Sequence, residues 1–440
     1  AREWFQTRLQ RVNDNFRVEL LHRLNQKVTT LIEVEERRPK SPAPETAISF
    51  AALMPLILVL MTITGAVYPA IDLTAGERER NTLEALIASP APRFALLLAK
   101  YSAVLTVAML TALMNLTAMS VTIWLLGLGR DIFGPGGFSF LSILQVGGLL
   151  MLFAAFFSGV LLAVTSFARS FKEAQAYLIP LMLVALAPGM MSLMPGIKLQ
   201  GPLVVAPLIN LVLLTRDLLL NKASHEIALL VVISNVLYAM AAVALAARVF
   251  GADSVLYGRD GSWAELFQRP RDPSSAPSVS TAFFCLAALF VLTFLAQSAF
   301  AMFFRPAPGQ EVQRLEGPII ASGLGNLLIF GGVCLFFGWL GRVSFSAILP
   351  LRAPTFAQAL AALILGLCSW PLAHEILAWM NDLGVAAVSH SQLMRTAQLM
   401  EKWGQVSLVI TLLSIAVITP LGEEIAFRGY LYAAFQSPKR

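Results

Sequence analysis

Charged side chains are scarce in this 440-residue chain: 13% of its residues are Asp, Glu, Lys or Arg, where a soluble domain carries about 25%. With 57% hydrophobic residues and a mean hydropathy of +0.72, that shortage excludes a water-soluble globule, a disordered tail and a fibrous protein. Histidine is rare too, at His22, His225, His374 and His390. The three cysteines, Cys285, Cys334 and Cys368, each sit in an apolar run. Their odd number argues against a disulfide framework, and no CxxC or Cys/His spacing marks a metal site. No Gly-Lys dipeptide occurs, so the chain has no GxxxxGK[ST] phosphate loop. The net charge of +6 fits the bias of cytoplasmic membrane loops and gives no sign of nucleic-acid binding.

What is present is a series of long apolar runs. A helix needs about 20 such residues to cross a bilayer. Charge-free runs that meet this cover 48–71, 101–126, 140–168, 174–194, 227–247, 281–304, 318–341 and 404–421, and 356–379 qualifies despite His374 and Glu375. The expectation is an all-α polytopic membrane protein with about nine transmembrane helices in two bundles. The stretch 199–214 is short and Pro-rich, and reads as a re-entrant or interfacial helix between the fourth and fifth spans.

Two segments break this pattern. Residues 1–38 repeat Phe5, Leu9, Val12, Phe16, Leu20, Leu24, Val28 and Leu31 at helical spacing with charges between them, which predicts one long amphipathic helix outside the bilayer. Residues 251–280 replace apolar runs with Gly, Ser, Pro and Arg, and read as a linker that leaves five spans before it and four after. Placing the 72–100 loop inside gives 15 Lys and Arg in the inside segments against 8 in the outside loops, leaving aside nine in the first 46 residues, so that loop is expected on the cytoplasmic face. The chain starts at Ala1 and ends twelve residues after Arg428, which reads as a piece of a longer protein.

Between the first two spans lies GERERNTLEALIASP, Gly76 to Pro90. On one helix, Glu77, Arg80, Asn81 and Glu84 share a polar face while Leu83, Leu86 and Ile87 share an apolar one. A surface helix that merely caps the loop has this pattern, and so does a helix whose polar face receives a soluble partner. The stretch through Arg93 resembles the coupling segment of type-2 ABC exporter permeases of the sodium-efflux-like branch, which usually carry Gly where this chain has Asn81. The resemblance implies that residues 1–46 end an extracytoplasmic domain and that 47–250 form the permease transmembrane domain. It also implies that Glu77, Arg78, Glu79, Arg80 and Glu84 dock a separate ABC ATPase subunit. ATP would then be bound on that subunit, with no cofactor in this chain, and a second permease copy would complete a dimer in the cell (inner) membrane.

The second motif is TPLGEEIAFRGY, Thr419 to Tyr430. Pro420 and Gly422 are expected to end a span and a new helix to open at Glu423, where carboxylates suit the helix dipole. Glu424 and Arg428 lie one turn apart and can pair, while Glu423 points roughly 140° away from Arg428. A structural ion pair at a span end has this pattern, as does a carboxylate left free to activate water. Glu-Glu-x-x-x-Arg after a charge-free span resembles the first motif of CPBP intramembrane proteases, relatives of type II CAAX endopeptidases. That resemblance implies a protease-like membrane domain over 281–440, with Glu423 as the catalytic base and Glu424 and Arg428 as its supporting pair; it does not settle whether the site takes a metal. The histidine motifs of that family do not follow Arg428 here. His374-Glu375 is not HExxH, because Ala378 occupies the last position. The leading expectation is an exporter permease fused to a protease-like domain, against a non-catalytic scaffold or a protease with a substrate-presenting permease half.

Overall fold

The computed structural model describes residues 50–129, 140–194, 196–250, 274, 276–303, 316–344, 355–382 and 408–436. The expected helix over 1–38 and most of the 251–280 stretch lie outside these residues. Among the described residues every regular element is helical, and the one extended pairing is an isolated bridge between Ser274 and Val343. The all-α expectation stands. Apolar segments without side-chain hydrogen-bond partners satisfy their backbone most completely as helices, and in hydrocarbon they have little alternative.

The long helices are α1 (Phe50–Ile71), α3 (Arg93–Leu125), α4 (Phe140–Thr165), α5 (Phe171–Met191), α7 (His225–Phe250), α8 (Val279–Phe303) and α9 (Glu316–Leu340). Between α1 and α3 lies the six-residue α2 (Thr82–Ile87). Seven helices among the described residues are long and apolar enough to cross a membrane, rather than nine. The two other expected spans fall on α10 (Phe356–Asp382) and α11 (408–436). In α10 the qualifying apolar part is Phe356–Gly366, and α11 carries Glu423, Glu424 and Arg428 in its middle.

The segment between the fourth and fifth spans differs from its expected bounds. A 3-10 turn at Gly201–Val204 precedes α6 (Ile209–Leu219), which at 11 residues is too short to span. The chain reverses at Leu208 (φ +67°), where Ile209 N–H donates to Pro207 O at 2.8 Å in a γ-turn. Leu211, Val212, Leu213 and Leu214 are all buried. This is a re-entrant helix packed inside protein, because apolar residues occupy every face of its middle turn.

α4 is the central strut: 67% of its apolar window is buried, more than in any other candidate span. It packs on α1, α3 and α7. A Cβ at Gly159 would sit 2.9 Å from the Ala242 Cβ, so glycine there sets how closely α4 and α7 approach. One hydrophobic core joins α1, α3, α4, α5, α6 and α7; another joins Ala282, Cys285 and Leu289 of α8 to Cys334 of α9 and to Ala426, Tyr430 and Ala434 of α11. Cys285 and Cys334 are buried free thiols with sulfurs 3.6 Å apart. α7 ends at Phe250 and α8 begins at Val279, and the two pack against each other.

Polar contacts between helix ends define two faces. On one, Ser192 Oγ donates to Ala52 O at 2.8 Å and Ser142 meets Asn221. On the other, the end of α1 meets the α4–α5 connection and the start of α3. The 77–93 segment hangs from this second face.

Candidate functional site

The first span does not stop where apolar residues do. α1 runs through a π-helical turn, Asp72–Gly76, and on to Glu79. Thr74 Oγ donates to Ala70 O at 2.6 Å within this turn. The expected single amphipathic helix over the loop is therefore two pieces. Glu77–Glu79 closes α1, Asn81 breaks the path with φ +58°, and α2 follows. Left-handed backbone costs most residues about 1–2 kcal/mol, and glycine and asparagine tolerate it best. Asparagine is therefore one of the few residues other than glycine that fit at position 81.

This break sends the five charged residues in different directions. Glu77 turns inward to Lys100, whose side chain is 6% exposed, and Lys100 Nζ also donates to Leu73 O at 2.6 Å. The ammonium lies 5.4 Å from the ring centre of Phe250, the last residue of α7, within cation–π range. Arg78 reaches across to donate to Ala168 O at 2.8 Å and Ser166 O at 3.1 Å. A Glu79 oxygen accepts from Phe171 N–H at 2.9 Å, at the start of α5, where the helix dipole favours a carboxylate. Arg80 pairs with Asp72 at 2.6 Å and is exposed. Glu84 is exposed on α2, while Leu83 on the same short helix is buried.

Glu77 and Arg78 are thus fasteners within the chain. Arg80 and Glu84 remain on the surface, with Thr82 and Ala85 between and beside them. Sequence reasoning missed Lys100 and the 166–168 carbonyls. The lone lysine opening the apolar run 101–126 was the available signal, since a charge at that depth needs a partner. The backbone acceptors had none.

The second motif sits differently from expectation. Helix α11 does not end at Pro420 and Gly422; it continues through both, with π-helical turns at Leu412–Ile418 and Ile425–Leu431. The wide turn before Pro420 shifts the hydrogen-bond register, and Thr419 Oγ donates to Ser414 O at 2.9 Å. A Cβ on Gly422 would come within 3.0 Å of the Leu327 Cα, so glycine there permits tight seating on α9. Glu423 and Glu424 consequently lie mid-helix, away from any helix N-terminus. The Arg428–Glu424 pair forms at 3.1 Å, with side chains 82% and 51% exposed, and leaves Glu423 outside it. All three residues are exposed, whereas Gly422, Ala426 and Tyr430 turn inward. Glu375 is exposed on α10. Among the described residues no three His, Cys, Asp or Glu side chains gather as a metal site would require.

Comparison with known proteins bears on these two sites unequally. The profile described as ABC-2 family transporter protein matches residues 14–347, well over half of the chain. The match includes α1 to α9 and so runs into the stretch expected to be protease-like. A curated relative, the ABC transporter permease protein NatB of Bacillus subtilis (strain 168), is 24% identical over 156 residues, 35% of this chain and 40% of that protein. The chain therefore matches less than half the length of that relative. No solved structure matches. These matches lend no support to a fused protease domain. With seven apolar helices and a profile match through α9, the chain belongs to the ABC-2 family of transporter proteins.

Proposed function

We propose that the chain is the membrane-spanning permease subunit of an ATP-driven exporter in the cell (inner) membrane, energised by a separate ABC ATPase subunit and working beside a second copy of itself. The observation that carries this reading is the fastening of the 77–87 segment. Arg80, just before the Asn81 break, and Glu84 on α2 are exposed, while Glu77, Arg78 and Glu79 grip three different parts of the bundle: α3 through Lys100, the α4–α5 connection through Arg78, and the start of α5 through Glu79. A push on α2 is thereby delivered to several spans at once, as rigid-element coupling requires. The chain's lack of a phosphate loop agrees with ATP being handled elsewhere.

Site-directed cross-linking tests this. Cysteines at Arg80 and Glu84 are expected to cross-link to a co-expressed P-loop ATPase subunit, with a yield that changes when ATP is added. Cross-links obtained only from the opposite membrane face would refute the assignment.

A second reading, a protease-like role for α11, keeps one observation in its favour: Arg428 pairs with Glu424 and leaves Glu423 apart. In that reading Glu423 is the base. Glu423→Gln in the full-length protein is expected to abolish cleavage of membrane-embedded peptides at an unchanged melting temperature; full cleavage by that variant eliminates it.

A further inference from the structure

We infer that the cavity between the ends of α7 and α9 and the start of α8 is a binding site for a phosphate group, carried by an anionic phospholipid head or by a soluble phosphate ester. The cavity has a volume of about 360 Å³, at the lower end of the range of small-ligand sites. Among the described residues, Arg248, in the last turn of α7, is the one charged residue that lines it. The other polar side chains lining it are hydroxyls: Ser274, Ser278, Ser280 and Thr281. No carboxylate is among the described lining residues, so the guanidinium has no counter-ion among them. Hydroxyls and guanidinium N–H groups all donate, and a phosphate has oxygens enough to accept from several of them.

The walls are already braced. Ser278 and Thr281 hydrogen-bond each other at 3.0 Å, Thr281 N–H donates to Ser278 Oγ at 3.3 Å, and Ser274 N–H donates to Arg342 O at 3.2 Å. The rim is thus fixed by contacts of the chain itself. Its depth suits a lipid head. Arg248 is the first charge after the charge-free run 227–247, and α8 begins its own apolar run beside it, so the cavity opens where spans leave the hydrocarbon. Basic pockets between spans at that level are where phospholipid heads are held.

The test uses the full chain in lipid nanodiscs of phosphatidylcholine, with or without phosphatidylglycerol. Lipid retained by the protein is read by native mass spectrometry and stability by thermal unfolding. Wild type is expected to retain phosphatidylglycerol in preference to phosphatidylcholine and to melt higher in its presence. Arg248→Gln removes the charge at similar size, and should weaken that preference about tenfold, the usual effect of losing a hydrogen bond to a charged group. Ser280→Leu fills the cavity without altering charge, so it decides the matter if Arg248→Gln fails to fold. Lys222→Gln, an exposed charge on the opposite face, should leave the preference intact. Inorganic phosphate and glycerol 3-phosphate, titrated into phosphatidylcholine discs, separate the two sources: stabilisation by these alone assigns a soluble ester, and by phosphatidylglycerol alone a lipid. Equal lipid retention by wild type and both cavity variants, with no response to either phosphate, overturns the site.

Discussion

At the scale of single residues, the buried pair of Glu77 and Lys100 carries the sharpest asymmetry. Lys100 is 6% exposed and Glu77 20%, so the ammonium suffers more when its partner goes. Glu77→Gln is expected to cost about 2–4 kcal/mol, near the range for stranding a buried charge. Lys100→Met removes the deeper charge and leaves a carboxylate that reaches water, so about 1–2 kcal/mol is expected. The double variant should fall close to Lys100→Met alone; thermal unfolding of all three against wild type checks the order. Asn81 gives a second residue-level outcome. Asn81→Gly should be neutral within a few tenths of a kcal/mol, whereas Asn81→Val should lose about 1–2 kcal/mol, because a β-branched residue at φ +58° is strained. The sequence showed the charge cluster at 77–84 but not how its members divide. A helical wheel treats positions as equivalent turns of one cylinder, and the left-handed Asn81 destroys that equivalence.

At the scale of elements, hydropathy reads well wherever a helix is uniformly apolar and poorly where a helix carries charges and wide π-helical turns along its length. α1, α4, α7, α8 and α9 lie close to their expected bounds because charge-free runs of that length have few other solutions. α11 was expected to break at Pro420 and does not. Its π-helical turns absorb the missing N–H, and no composition pattern announces such turns. What holds α11 in place is close contact along Gly422, Ala426 and Tyr430, and this has a testable sign. Gly422→Ala puts a Cβ within 3.0 Å of the Leu327 Cα, so the helix must shift outward; a loss of about 1–2 kcal/mol is expected. Gly332 in α9 has open space where its Cβ would stand. Gly332→Ala should therefore gain about 0.5–1 kcal/mol from reduced backbone entropy. Opposite shifts in melting temperature support the packing described; a gain in both would mean that α11 is not seated on α9.

At the scale of the whole molecule, the helix-end contacts sort the connections into two sets with opposite fates in a membrane. The ends of α1, α4 and α7 and the starts of α3, α5 and α8 share one face, since Glu77, Arg78, Glu79 and Lys100 tie the end of α1 to α3 and to the α4–α5 connection, and Lys100 meets Phe250. The starts of α1 and α4 share the other, with Ser192 and Asn221. The re-entrant α6 makes this possible: by failing to cross, it lets α7 start on the face where α5 ends. Had α6 spanned, every later helix would be inverted and Arg248 would sit opposite Glu84. The lysine and arginine counts lead to the expectation that the 72–100 loop is cytoplasmic. A membrane-impermeant maleimide applied to intact cells is therefore expected to label cysteine at Lys222 and to spare cysteine at Glu84 until the membrane is permeabilised, with the native cysteines replaced beforehand. Labelling of both positions from outside would show that α6 crosses after all. Labelling of Glu84 alone would invert the chain, and would remove the ATPase from reach of α2.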